Sequence, residues 1–314
     1  MKISNLLILL FVLANWSAMA QTVVDTIKVG SAPALIAVDR VNNLIYVTNA
    51  GDSTVSVIDG ATNTVIATPA VGSYPQAITV NSSLRRIYVG NFGAADQLSV
   101  ISGRSNYVEQ IRISKFPVIT GLGVNSSNGS VYMCNGGRKV VVLNGHTNTV
   151  ITTVPVPNCG FGLNVNPKTY QVYVATFTPN VTVIDSQTNQ IDAVFPIDLT
   201  GVVTVAVDPR SNHLGLVDTN AGELEVLDAA NGTVLGTVAG LSRPFGAVFA
   251  PGGHTALVTE ESGNDLALID TENFTVVSRT AVGNFPLGLD LNPSTHLAYV
   301  VNTNDNTVSV VSIP

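Results

Sequence analysis

A pattern of about 42 residues recurs through most of the chain, and it restricts the possible folds more than any other feature of the sequence. In the copy at residues 34–68, short apolar runs rich in β-branched and aromatic side chains alternate with Asn, Gly, Asp and Ser. Runs of this kind are typical of antiparallel strands joined by tight turns. The repeated unit is therefore predicted to contain four strands.

The second strand of this unit contains Tyr46-Val47-Thr48-Asn49, and the same position recurs at nearly constant spacing. Its later copies are Tyr88-Val89-Gly90-Asn91, Tyr132-Met133-Cys134-Asn135, Tyr173-Val174-Ala175-Thr176, Gly215-Leu216-Val217-Asp218, Ala256-Leu257-Val258-Thr259 and Tyr299-Val300-Val301-Asn302. Four-stranded units at this period are typical of propeller blades around a central channel. The sequence therefore predicts an all-β fold, a seven-bladed β-propeller with four antiparallel strands per blade.

The last copy of the repeat is incomplete. It stops after its third strand at residues 308–312, whereas residues 22–30 match the fourth-strand pattern and precede the first inner strand. We therefore predict that the N-terminal strand completes the last blade and closes the ring. That pairing would remove an open sheet edge and hold both chain termini.

The motif Tyr46-Val47-Thr48-Asn49, followed by Val57-Ile58-Asp59, resembles the YVTN-repeat family of β-propellers, found in surface-layer and other exported proteins. The resemblance covers residues 22–314. It implies the propeller fold and an exported protein. Members of this family perform unrelated functions, so the resemblance does not specify a ligand or a reaction.

Residues 1–20 are interpreted as a secretory signal peptide, because Lys2 precedes a short apolar core and Ala18-Met19-Ala20 forms a small-residue cleavage pattern. The apolar core is too short for a membrane span. Residues 21–314 are predicted to form one propeller domain, located in the periplasm, outside the cell or at its surface. The net charge of −7 and the lack of a basic cluster in the sequence argue against nucleic acid as a partner.

The two cysteines, Cys134 and Cys159, are expected on the same face in adjacent blades. A disulfide between them is plausible in an oxidising compartment. A catalytic cysteine is disfavoured, because a reactive thiol needs a partner base and no His lies nearby in sequence.

Most other polar residues that attract attention repeat once per blade, which favours a structural role. One set, expected to cap turn amides, is Asp59, Asn144, Asp185, Asp228 and Asp270, and a second set is Asn81, Asn125, Asn166, Asp208 and Asn292. His213, His254 and His296 occupy equivalent turns of three blades, too far apart to bind one metal ion. We predict no catalytic residue, no metal ligand and no cofactor.

The residues that differ between blades are better candidates for binding. In each blade, the loop entering the inner strand and the loop between the second and third strands reach one face, which we call the funnel face. The predicted ligand-binding residues on it are Tyr74, Phe116, Phe161, Arg243, Phe245 and Phe285. Aromatic walls with a few polar groups are typical of binding sites. An alternative is that several of these rings plug the channel or pack between blades.

Three functions are compatible with these patterns. The first hypothesis is an exported binding propeller that recognises a protein, a glycan or a small molecule at the funnel face. The second is a lactonase-like enzyme, with acid–base groups among Asp198, Asp218, Glu260, Glu261 and Arg243. The third is a surface-layer or envelope building block. The lack of a Ser-His-Asp arrangement, a phosphate loop or a haem-attachment Cys pair favours binding over catalysis.

Overall fold

The structure is a computed structural model that describes residues 21–93, 98–113, 118–135, 138–199 and 201–313. The described residues form 28 β-strands in seven four-stranded antiparallel sheets. The predicted signal peptide and Phe116 lie outside the described residues. No helix among the described residues is long and apolar enough to cross a membrane.

Each sheet is one blade, and its strands follow each other in chain order from the inside outwards. Blade one contains β2 (Pro33–Asp39), β3 (Leu44–Asn49), β4 (Thr54–Asp59) and β5 (Thr64–Ala67). Blade two contains β6 (Pro75–Asn81), β7 (Arg86–Asn91), β8 (Leu98–Ser102) and β9 (Val108–Ile111). Blade three contains β10 (Ile119–Val124), β11 (Ser130–Asn135), β12 (Lys139–Asn144) and β13 (Thr149–Pro155).

The remaining blades repeat this order. Blade four contains β14 (Cys159–Asn166), β15 (Gln171–Thr176), β16 (Asn180–Asp185) and β17 (Gln190–Pro196). Blade five contains β18 (Val202–Asp208), β19 (His213–Asp218), β20 (Glu223–Asp228) and β21 (Val234–Val238). Blade six contains β22 (Pro244–Phe249), β23 (Thr255–Glu260), β24 (Asp265–Asp270) and β25 (Thr275–Ala281). Blade seven contains β26 (Pro286–Asn292), β27 (Leu297–Asn302), β28 (Thr307–Ser312) and β1 (Thr22–Lys28).

The two ends of the chain close the ring. Strand β1 pairs antiparallel with β28, in a register that runs from Thr22 opposite Ser312 to Lys28 opposite Thr307. The first strand of each blade contacts the first strands of both neighbouring blades, so the seven inner strands form a closed circle. The predicted seven-bladed propeller and its closure by the N-terminal strand are therefore confirmed.

The hydrophobic core lies between neighbouring blades. The second and third strands of a blade are buried on both faces because each blade packs against the next, which explains their continuous apolar runs. A typical cluster joins Val181 and Val183 of blade four to Leu214 and Leu216 of blade five. The outermost strands are largely exposed on one side, as β5 illustrates.

Buried tyrosines of the repeated motif connect one blade to the next. The hydroxyl of Tyr132 in blade three donates to Asn189 Oδ1 of blade four at 2.9 Å, and the hydroxyl of Tyr173 donates to the Ala229 carbonyl of blade five at 3.1 Å. Burial, the largest cause, raises the pKa of Tyr132 to about 12, so this hydroxyl stays a donor at physiological pH. Blade five has Gly215 in place of the tyrosine, and a side chain that began there would contact Leu224 at 3.3 Å and the ring of Phe249 from blade six at 3.4 Å.

The predicted capping role of the repeated Asp and Asn residues is confirmed on the face opposite the funnel face. Asp59 Oδ1 accepts a hydrogen bond from the Ala61 amide, and Asp270 Oδ1 accepts one from the Glu272 amide, both at 2.8 Å. In the turn between the first and second strands, Asn166 Oδ1 accepts from the Lys168 amide at 3.0 Å. These side chains stabilise turns, because each has an oxygen that accepts a hydrogen bond from a turn amide.

Candidate binding face

The funnel face is formed by the two sets of loops that the sequence assigns to it. The described loops entering the inner strands are residues 29–32, 68–74, 112–113, 118, 156–158, 197–199, 201, 239–243 and 282–285. The described loops between the second and third strands are residues 50–53, 92–93, 138, 177–179, 219–222, 261–264 and 303–306.

One backbone conformation recurs where these loops enter the inner strands. The residue just before the strand is left-handed in five blades, with φ between 46° and 59°, at Ala32, Tyr74, Asn158, Arg243 and Phe285. The equivalent residues of blades three and five, Val118 and Gly201, do not have this left-handed backbone. A left-handed backbone costs a residue with a side chain of order 1–2 kcal/mol. Bulky side chains at three of these positions are therefore not explained by local backbone preference.

A backbone hydrogen bond attaches each left-handed residue to the second loop of its own blade. The carbonyl of Tyr74 accepts from the Phe92 amide at 2.9 Å, and the carbonyl of Arg243 accepts from the Glu261 amide at 3.0 Å. The same bond joins Ala32 to Ala50, Asn158 to Phe177, and Phe285 to Thr303. In each of these five blades, we call the two residues joined by this hydrogen bond the loop pair. The bond needs only backbone atoms, so it fixes the position of a loop pair without restricting its side chains.

The side chains of the loop pairs differ from blade to blade. In blade two, Tyr74 and Phe92 make an edge-to-face contact with ring centroids 6.3 Å apart, and their exposed fractions are 50% and 42%. In blade four, Phe177 makes an edge-to-face contact with Phe161 of β14 at 5.9 Å. Exposed aromatic pairs of this kind are enriched at protein interfaces. The funnel face therefore carries two separate aromatic surfaces.

Blade six carries a charged loop pair instead. The guanidinium of Arg243 lies 3.3 Å from a carboxylate oxygen of Glu261, whose side chain is only 5% exposed. Arg243, one of the predicted ligand-binding residues, therefore pairs with a buried carboxylate of its own blade. Its side chain is still 62% exposed, so its outer edge faces solvent.

Next to this pair, three charged groups of blade six form a network. Glu260 is fully buried and accepts hydrogen bonds from Arg279 Nε and from the Ser242 amide, both at 2.6 Å. Burial acts to raise the pKa of Glu260, but these hydrogen bonds lower it below its ordinary value. Burial, together with the adjacent Glu260, raises the pKa of Asp265 to about 6. Asp265 is thus a carboxyl group that titrates close to neutral pH.

The position of Glu260 explains its structural task. In blades one and seven the equivalent residues, Asn49 and Asn302, are the last residues of the second strands. Asn302 Oδ1 accepts a hydrogen bond from the Gly283 amide at 3.1 Å. Glu260 accepts from the Ser242 amide in the same way, and its additional charge is balanced by Arg279. Asp218 of blade five is similarly occupied by the amides of Gly201 and Asn220.

The six predicted ligand-binding residues do not all occupy equivalent positions in their blades. Tyr74, Arg243 and Phe285 occupy equivalent loop-pair positions, and Phe161 extends the aromatic surface of blade four. Phe245 lies at the start of β22 and is only partly exposed. Phe116 cannot be assigned because it is outside the described residues. Phe92 and Phe177 lie on the same face but are not among the predicted ligand-binding residues, and the nearly constant spacing between loop-pair partners along the chain is the signal that would have added them.

The two cysteines lie together, as predicted, in the core between blades three and four. Both are fully buried, and the structure contains no disulfide bond between them, so the disulfide stays a prediction. The thiol of Cys159 donates to the Lys139 carbonyl at 3.5 Å. Burial, the largest cause, raises the pKa of Cys134 well above its ordinary value, which makes it a poor nucleophile.

The histidines that share one turn position do not form a metal site. Nδ1 of His254 lies 2.7 Å from Oε1 of Glu272, on the face opposite the funnel face, and both side chains are largely exposed. Within the part of the chain that the structure describes, no group of three or more His, Cys, Asp or Glu side chains is arranged to hold a metal ion.

Comparison with known proteins shows the fold. No protein-family model matches the sequence, and none of the curated proteins matches it either. Among solved structures, the chain is similar to Kuenenia stuttgartiensis hydrazine synthase, with a TM-score of 0.77 and 15% identity over 89% of this chain and 95% of that one. At this identity the likeness shows a shared β-propeller and no shared activity. Membership of the YVTN-repeat family stays a prediction.

Proposed function

We propose that this protein is an exported binding propeller whose funnel face recognises a macromolecular partner, a protein in the first instance. The observation that carries the proposal is the set of loop pairs. A common backbone hydrogen bond positions them, yet their side chains are aromatic in blade two, partly aromatic in blade four and charged in blade six. Tyr, Phe and Arg are enriched in protein interfaces and among the residues that dominate their binding energy.

The exposure of these side chains supports a partner with an extended surface. Phe161 and Phe177 are 40% and 56% exposed, so their rings lie on the surface and have not been withdrawn into the channel. The aromatic surfaces belong to blades two and four, so a partner that contacts both must extend across more than one blade of the propeller. A polypeptide or a glycan chain meets that requirement better than a small molecule.

The test is a comparison of partner capture by matched variants. Mature protein and a Tyr74→Ser/Phe92→Ser double variant are used as baits in an envelope extract, and an immobilised glycan panel is probed in parallel. Capture of one partner by the wild type and its loss in the double variant support the proposal. Tyr107→Ser, which removes an exposed ring from the opposite face, is the control and should retain capture.

A partner retained equally by the wild type and by the Tyr74→Ser/Phe92→Ser and Phe161→Ser/Phe177→Ser variants would contradict the site. Loss of a glycan signal alone would identify the partner as a carbohydrate. The exported location is tested by the mass of the protein purified from its native host. A chain that begins at Gln21 would agree with cleavage after Ala20.

A second candidate is the lactonase-like enzyme, and the observation that favours it is the Asp265–Glu260 pair. A carboxyl group with a pKa of about 6 is suited to general acid–base catalysis near neutral pH. Glu260 is already occupied by Arg279 and a backbone amide, so Asp265 would have to transfer the proton. Turnover of a sugar lactone that is lost in Asp265→Asn, but kept in Glu272→Gln, would support this function.

A third candidate is assembly into an envelope layer, favoured by apolar side chains exposed on the outermost strands. Examples are Ile66 at 55%, Ile151 at 50% and Val277 at 53% exposure. Outer strands with unpaired edges and apolar side chains can pair with other copies. Sedimentation of the mature protein over a range of concentrations tests this role. A purely monomeric protein at high concentration would contradict it.

A further inference from the structure

A cavity of about 310 Å³ lies on the face opposite the funnel face, where blade two meets blade three. Its walls come from the turn between β6 and β7, the turn between β8 and β9, and the turn between β12 and β13. Its charged and polar lining residues include Arg85, Arg86, Arg104, Tyr107, Glu109 and Asn148. The volume is at the lower end of the range for small-molecule sites.

The cavity concentrates positive charge in an acidic protein. Three arginines line it, although the whole chain contains only 14 Lys and Arg residues and has a net charge of −7. Glu109 is the carboxylate in this lining, and it accepts a hydrogen bond from Asn148 Nδ2 at 2.9 Å. The lining therefore keeps an excess of positive charge, which raises the local concentration of anions. Sequence inspection missed this cluster because Arg104 is distant from Arg85 and Arg86 along the chain.

One of the three guanidinium groups is already held in position. Arg86 Nη1 donates to the Gly145 carbonyl, to the His146 carbonyl at 3.0 Å and to Asn148 Oδ1 at 3.1 Å. These acceptors belong to blade three, so the junction between two blades fixes the side chain of Arg86. A guanidinium that is fixed before a ligand arrives loses less conformational entropy when it binds.

The other two guanidinium groups have no such structural task. Within the described part of the chain, the side chains of Arg85 and Arg104 make no hydrogen bond and no ion pair, although Arg85 interacts electrostatically with Tyr46. Arg85 also has a left-handed backbone with φ of 51°, at a turn position that holds Asn43 in blade one and Asn212 in blade five. Tyr170 and His296 hold the same position in blades four and seven, so the turn accepts a long side chain but does not require Arg85.

An aromatic ring stands at the same cavity. Tyr107 is 71% exposed and lies in the turn between β8 and β9. We propose that the cavity binds a small organic anion, whose phosphate or carboxylate group contacts Arg85, Arg86 and Arg104 while its flat or apolar part packs on Tyr107. Guanidinium groups match the oxygens of phosphate and carboxylate through paired hydrogen bonds. This site is independent of the funnel face and of its proposed partner.

The test is titration calorimetry of the mature protein at low ionic strength with inorganic phosphate, phenyl phosphate and benzoate. We expect phenyl phosphate or benzoate to bind more tightly than inorganic phosphate, and the stronger of the two identifies the preferred head group. Arg104→Gln and Arg85→Gln should each weaken binding at least tenfold. Arg210→Gln removes an exposed arginine from the same face, in blade five, and should leave the affinity unchanged.

A second variant separates the two parts of the ligand. Tyr107→Ser should weaken phenyl phosphate several-fold and leave inorganic phosphate unaffected. Circular dichroism tests whether each variant is folded. If Arg85→Gln does not fold, the conclusion rests on Arg104→Gln, which lies on an exposed turn. The proposal is overturned if none of the three probes binds at millimolar concentration, or if Arg210→Gln weakens binding as much as Arg104→Gln. Tyr74→Ser should not change any of these affinities.

Discussion

Each face of the propeller carries a feature that recurs from blade to blade, but the kind of feature differs between the two faces. On the face opposite the funnel face, the side chain itself recurs, and Asp59, Asp228 and Asp270 all accept a hydrogen bond from the amide two residues later. On the funnel face, the backbone hydrogen bond of the loop pair recurs, while the side chains change from Ala32 and Ala50 to Tyr74 and Phe92.

This difference separates the residues that build the propeller from those that are free to act. A turn that depends on a carboxylate oxygen keeps the same residue type in blade after blade. A loop held by backbone atoms does not require a particular side chain, so aromatic and charged residues can be placed there without losing the hydrogen bond between the loops. The basic cavity is the exception on the opposite face, because there blade two departs from the common turn residues.

The largest expected effect concerns the charged loop pair. Arg243→Ala removes the partner of Glu261, which is 5% exposed, and an unpaired buried carboxylate costs about 2 kcal/mol. The midpoint of thermal unfolding should fall by several degrees at neutral pH. Adding Glu261→Gln should restore part of the loss, because the unpaired charge is removed. If Arg243→Ala is as stable as the wild type, then Glu261 does not depend on this ion pair.

The fold was predictable because its determinants are periodic. Propeller blades need apolar runs on both sides of their middle strands, and the copies from Tyr46 to Tyr299 repeat those runs at nearly constant spacing. Ring closure followed from the incomplete last copy and from the match of residues 22–30 to a fourth strand. Even blade five, which lacks the tyrosine, was recognisable from its spacing, although the proximity of Phe249 to Gly215 was not.

The buried tyrosines test whether a repeated residue always contributes equally. Tyr132→Phe removes hydrogen bonds to Asn189 and to the Ser186 carbonyl of the next blade, and should destabilise the protein by about 1–2 kcal/mol. Tyr46→Phe should be neutral or slightly stabilising, because the buried hydroxyl of Tyr46 has no hydrogen-bond partner among the described residues. Chemical unfolding of both variants measures the difference. Equal losses would show that the hydroxyl of Tyr46 contributes as much as that of Tyr132, and would contradict the difference in their hydrogen bonding.

The Asp265–Glu260 pair predicts a dependence of stability on pH. The pKa of Asp265 is raised to about 6 in the folded protein, above its value in the unfolded chain. Its contribution is therefore present at low pH and is lost as the pH rises through about 6. Asp265→Asn should raise the free energy of unfolding by about 1 kcal/mol at pH 8 and have little effect at pH 4. A pH-independent change would contradict the raised pKa.

The site was less predictable than the fold, because its arrangement depends on contacts that have no period. Sequence reasoning placed Tyr74, Arg243 and Phe285 on one face but did not identify their partners, since a nearly constant spacing between two loops does not by itself show that a hydrogen bond joins them. It also did not identify the ion pair of Arg243 with Glu261, because the burial of Glu261 depends on how blade six packs. The three arginines of the cavity come from the β6–β7 turn, the start of β7 and the β8–β9 turn, which meet only in the folded chain.

The smallest expected change in stability should accompany a large change in binding. Tyr74→Asn relieves the cost of a left-handed backbone at φ of 56° and loses the contact with Phe92, so the free energy of unfolding should stay within about 0.5 kcal/mol of the wild type. Capture of the funnel-face partner should nevertheless fall sharply, because the exposed ring is gone. Thermal unfolding and partner capture measured on one preparation decide the point. A stable variant that binds normally would show that Tyr74 is as structural as the turn residues of the opposite face.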